Sequence, residues 1–237
     1  MKGFTMFTTH TTFVPSIEQF MHKVYAWMAI GLAVTALSAY GMVAYPAFLI
    51  YLLSSKMAFY GLIAAQFGLV IYLSAALSTM SYRTVCMAFL LYSLVTGITL
   101  APLFLVYTLS SIYVAFASTA CMFGGMALYG SVTRTDLTKF GPLLIMALWG
   151  LIGASLLNWF FASSSFDYVI SWAGVILFTA LTAYDVQKIK MMYNSFYYQE
   201  DGGDLLNRAS LMGALVLYLD FINLFVHIIH LMGKKRK

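Results

Sequence analysis

The chain has 237 residues, of which 62% are hydrophobic, 17% aromatic and 9% charged, with a mean hydropathy of +0.87 and a formal net charge of +5. A soluble globular domain carries roughly 25% charged residues, so the composition excludes one, and only four prolines beside 17 glycines exclude a disordered or fibrous chain. An integral membrane protein remains; its two cysteines, Cys86 and Cys121, lie inside apolar runs and define neither a metal site nor a disulfide framework.

In chain order, residues 1–23 read as a polar N-terminal tail, 24–232 as a transmembrane domain and 233–237 as a basic tail. Ser16 with Gln19 three residues later fits a capping box, so a helix is expected to begin at the membrane surface. The first apolar stretch is longer than a signal-peptide core and lacks a clear small-residue cleavage site, so 1–23 is expected to stay in the mature chain. No Asp, Glu, Lys or Arg occurs between Lys23 and Lys56, Lys56 and Arg83, Arg83 and Arg134, or Lys139 and Asp167. Crossing ~30 Å of hydrocarbon takes about 20 apolar residues in a helix. Each gap holds one such run and the Arg83–Arg134 gap holds two, broken near Tyr107–Ser111. The spacing predicts spans at about 24–45, 57–78, 84–106, 111–130, 140–162, 168–190 and 209–232, giving an all-α bundle of seven antiparallel helices. A β-barrel is excluded, because its strands alternate in polarity and these runs are continuously apolar.

Lys and Arg sum to 8 on the N-terminal side of seven spans and 5 on the other; without the tail residues Lys234, Lys235, Arg236 and Lys237 the ratio is 8 to 1. That bias places the N-terminus in the cytoplasm. The basic tail opposes it, and a re-entrant last segment would resolve the conflict at 12 to 1, although residues 209–232 are long enough to cross.

Asp185 and Asp220 stand out among the eight acidic residues, because the other six fall in loops or near predicted helix ends. A carboxylate at mid-membrane costs about 2.5 to 3.5 kcal/mol on insertion scales, so Asp220 should face the bundle interior and have a partner. Two readings stand for Asp185: an interfacial carboxylate paired with Lys188 one turn later, or a partner of Asp220. The second follows because the sixth span ends and the seventh begins on the same side of the membrane. If the two meet, like charges resist ionising together and the pair holds one proton, which makes a titratable latch. Arg83 could pair with either carboxylate or snorkel to the headgroups. Asn223 and His227 share a stripe of the last helix with Asp220 and could line a polar path, while the alternative for His227 is an interfacial histidine. Small residues such as Gly31, Gly124, Gly125 and Ala127 read as close helix contacts. No nucleotide or zinc motif appears, and the four-residue basic tail is too short for a nucleic-acid site, so lipid headgroups are its expected partner.

Four blocks then resemble the Bax inhibitor-1 family in a bacterial form: Phe20–Tyr25 leading into Gly31–Ala36, Gly97–Phe104, Leu181–Lys190, and Gly213–Phe225 with its Tyr218-Leu219-Asp220-Phe221 core. The resemblance implies a seven-helix bundle around a central last helix, and a pH-sensitive Ca²⁺ leak controlled by two aspartates, which match Asp185 and Asp220. It implies an arginine near the end of the second span; here Ser78, Thr79 and Met80 occupy that region and Arg83 comes later. The polar stretch from Met191 to Asn207 is expected to be a loop.

Two functional classes follow. One is a Ca²⁺ leak in a bacterial inner membrane, with Asp185 and Asp220 as transient Ca²⁺ contacts and no cofactor. The other, implied by the resemblance, is a regulator that acts by contact on a membrane-bound ATP-dependent protease or a cell-death or stress pathway. An intramembrane aspartyl protease would also need two aspartates, but its Gly-x-Gly is replaced by Leu217-Tyr218-Leu219 ahead of Asp220. No enzyme activity is expected.

Overall fold

The computed structural model describes residues 15–75, 80–197 and 202–236. The rest of the predicted tail, residues 1–14, and Ser78 and Thr79 lie outside them. Nine α-helices follow in order among the described residues: α1 (Ile17–Ala44), α2 (Pro46–Ser54), α3 (Lys56–Ala75), α4 (Tyr82–Leu100), α5 (Leu103–Val106), α6 (Leu109–Val132), α7 (Gly141–Phe161), α8 (Ser164–Tyr197) and α9 (Gly202–Met232). Among the described residues seven segments are long and apolar enough to cross a membrane: α1, α3, α4 with α5, α6, the short 3₁₀ turn at Leu137–Phe140 with α7, α8, and residues Leu205–Met232 of α9. The all-α, seven-span architecture expected from the sequence is present.

Local chemistry sets the helix boundaries. The Ser16 hydroxyl accepts from the Gln19 backbone and the Gln19 side chain accepts from the Ser16 backbone, closing the capping box. Residues 17–23, read as tail, therefore form the first turns of α1. Ser81 and Thr108 cap α4 and α6 through the backbone N–H of Thr84 and Ser111. Pro102 has no N–H to donate, so the third span breaks between α4 and α5. Pro46 at the first helical position starts α2, which the sequence reading left as a connection. The Met191–Asn207 loop is also corrected: α8 continues to Tyr197 and α9 starts at Gly202. Polar residues on a helix that runs past the membrane need no break in the backbone.

The last helix is the core. It is the most deeply buried span and packs against α8, α1, α6 and α4. Its start lies by the start of α1, where Lys23 Nζ donates to Asn207 Oδ1 at 2.6 Å. Its end lies at the connection between α5 and α6. There Thr108 N–H donates to the Lys234 carbonyl (3.1 Å), Arg236 N–H to the Val106 carbonyl (2.8 Å) and Lys234 N–H to the Ser111 hydroxyl (3.0 Å). The unbroken α9 therefore runs the length of the bundle and is not re-entrant.

Candidate functional site: a carboxyl pair between α8 and α9

Two close approaches fix the register of the last two helices. Gly213 lies against Ile189, and Gly174 against the His227 ring, so α8 and α9 run antiparallel. In that register Asp185 and Asp220 are offset by about one turn. Side chains on a helix lean toward its N-terminus, so in an antiparallel pair these two lean toward each other.

The two carboxyls are close enough to act on each other. Asp220 is 4% exposed and its Oδ2 has no hydrogen-bond partner, while Asp185 is half-buried. Lys188 lies near enough for its charge to act on Asp185, but its ammonium sits over the Tyr184 ring, 5.7 Å from the centroid. Among the described residues no ion pair joins Asp185 to Lys188, and the carboxyl that faces Asp185 between the helices is that of Asp220.

The other predicted site residues divide. His227 faces α8, with its ring stacked on Phe178 at 5.7 Å and its Nδ1 buried without a partner. Asn223 shares that stripe but donates to its own helix, at the Leu219 carbonyl, 2.8 Å. Arg83 is exposed in the first turn of α4 and is not brought to the carboxyls. A different arginine is tucked in at that end of the bundle: Arg208 of α9 donates through Nη1 to the Met80 carbonyl at 3.2 Å.

The sequence reading passed over a second buried polar group. The Tyr218 hydroxyl meets Thr35 Oγ1 at 2.6 Å, and Thr35 donates to the Ser93 carbonyl. Close by, Gln66 bridges Thr96 (2.8 Å) and Thr99 (3.1 Å). These bonds join α9 to α1 and α4, and α3 to α4. Residues two apart on a helix point about 200° apart, so Tyr218 and Asp220 tie opposite faces of α9. The available signal was Gln66, a lone amide inside an apolar run; Tyr218 is one of 17 tyrosines and carries none by itself.

Comparison with known proteins decides the family. Residues 17–237 match the family model described as "Inhibitor of apoptosis-promoting Bax1". The chain belongs to the Bax inhibitor-1 family. It is 42% identical over 220 residues to inner membrane protein YbhL of Escherichia coli strain K12, covering 93% of each chain. A Borreliella burgdorferi protein is 45% identical over 219 residues (92% of this chain, 93% of the relative), and a Rickettsia prowazekii protein 36% over 236 (99% and 98%). The Bax inhibitor-1 blocks noted in the sequence fall at structurally distinct places: Gly97–Phe104 forms the break between α4 and α5, while Leu181–Lys190 and Gly213–Phe225 form the two sides of the carboxyl pair. Leu217 and Tyr218, two of the three residues before Asp220, are fully buried within helix α9. That segment offers no opened backbone for a substrate. Among the described residues, no three of His, Cys, Asp and Glu cluster as a metal cage.

Proposed function

We propose that this chain is a pH-sensitive Ca²⁺ leak of a bacterial inner membrane, N-terminus cytoplasmic, whose gate is the Asp185–Asp220 pair. One observation carries the reading: two carboxyls from adjacent membrane helices meet in a site where one of them is almost wholly buried. Two like charges there repel strongly, so the pair keeps one proton and the shared hydrogen bond holds α8 to α9. Losing that proton replaces a bond with a repulsion, which separates the helices and hydrates the stripe leading past Asn223 to His227. Lys188 is the cation acting on the pair, and it offsets part of the repulsion. Two carboxylates without a cage suit brief contact with Ca²⁺, and passage requires binding weak enough to release.

The test is Ca²⁺ flux into proteoliposomes across pH. Flux should rise with pH in the wild type. Asp185→Asn and Asp220→Asn each leave one amide beside one carboxylate, so either should abolish most of the pH dependence, whereas Asp167→Asn, in the first turn of α8, should keep it. Wild-type pH profiles in both single variants would sink the latch. Absence of flux at every pH would sink the leak and favour the contact regulator.

A further inference from the structure

At the end of the bundle where α1 begins, a cavity of about 600 Å³ lies between α1 and α6 and reaches Lys190 of α8. That volume is within the range of sites for small organic ligands. Its walls carry opposite charges that do not pair with each other. Lys190 of α8 donates one N–H to the Ser131 carbonyl at 2.7 Å, and an ammonium has three. Glu18 of α1 is exposed and, among the described residues, its carboxylate accepts no hydrogen bond; His22 of the same helix lines the cavity beside it.

The remainder of the lining is apolar and cut away by small residues. Gly124 and Ala127 line the α6 wall, and a Cβ placed on Gly124 would meet nothing within 4 Å. The close helix contact read from Gly124 and Gly125 is therefore not made within this chain. A separate, smaller cavity of about 90 Å³ lies in the other half of the bundle, where Ala36, Ile112 and Phe225 face Leu103 at the α4–α5 break. Within the larger cavity polarity falls from Glu18, Ser131 and Lys190 near the helix ends to Phe123 and Gly124 farther in, the order in which a lipid runs from headgroup to chain.

We propose that the seam between α1 and α6 binds a phospholipid with a zwitterionic primary-amine headgroup, its ammonium on Glu18, its phosphate on Lys190 and one acyl chain over Gly124 and Ala127. The charges choose the headgroup. A glycerol headgroup brings an anion with no cation for Glu18, and a choline headgroup brings a cation with no N–H to donate, whereas an ethanolamine headgroup supplies both. The site stands apart from the carboxyl pair and does not depend on the leak.

Native mass spectrometry of the full chain, given equal amounts of ethanolamine, glycerol and choline phospholipids with the same acyl chains, tests this. Wild type should retain the ethanolamine lipid about tenfold over the others, the size of one charge-assisted hydrogen bond. Glu18→Gln should erase that preference, and Lys190→Met should lower retention of all three lipids. Gly124→Leu should fill the trough and lower retention of all three without lowering thermal stability. Equal retention by wild type, no retention, or a preference that survives Glu18→Gln would overturn the proposal.

Discussion

Two glycines six residues apart on α6 behave oppositely. A Cβ on Gly130 would collide with the backbone carbonyl of Ala183, two residues before Asp185, whereas Gly124 faces open space. Gly130→Ala must push α6 off α8 and should cost about 1–3 kcal/mol by overpacking. Gly124→Ala meets nothing and should gain up to about 1 kcal/mol from helix propensity. Thermal unfolding of both variants in one detergent measures the difference. At Asp136, which caps the 3₁₀ turn, hydrogen bonds from the Thr138 hydroxyl and backbone hold the carboxyl below the usual carboxylate range. A lowered value means the anchor is present at neutral pH and is lost as pH falls through it, so amide exchange at Thr138 should quicken only in acid well below that range. At this scale the carboxyl pair was legible because charge inside an apolar run has few explanations. Tyr218 was not legible, since a tyrosine in a membrane helix fits a belt, a core or a bond equally well. Gly130 and Gly124 are indistinguishable in sequence, as only the neighbouring helix separates them.

Helices, in contrast, were legible to within a few residues wherever length and hydropathy decided them. The exceptions have local causes. The stretch holding α2 is apolar but at nine residues too short to cross a membrane, so a reading by span length leaves it as a connection. The Met191–Asn207 stretch is polar, which sequence reading equates with a loop, yet Tyr193 donates to the Pro15 carbonyl at 2.8 Å and holds that end of α8 in helix. The conflict over the last segment came from counting its basic tail as an orientation signal. Lys234 and Arg236 instead engage the α5–α6 connection through their backbones, which fixes the tail at the far end whatever its charge. Reporters fused after Thr138 and after Ser164 should therefore lie on opposite sides, with a C-terminal reporter matching the Ser164 one. Thr138 and Ser164 reporters on one side would refute seven crossings, and a C-terminal reporter on the Thr138 side would refute an α9 that crosses.

For the whole molecule, what matters is how unevenly α9 is held. Its start is bonded to α1 through Lys23 and to the approach to α4 through Arg208. Its middle is bonded to α1 through Tyr218, and its end is clasped by the α5–α6 connection. Toward α8 the polar link is the carboxyl pair, set among apolar contacts such as Ile189 on Gly213. A gate has a post and a leaf, and in the proposed latch α9 would be the post. Breaking the carboxyl pair cannot easily carry α9 away from four sets of bonds, so α8 has to swing, with α6 and α7 packed against it. Opening would then change the width of the α8–α9 seam while leaving the α1–α9 spacing as it is.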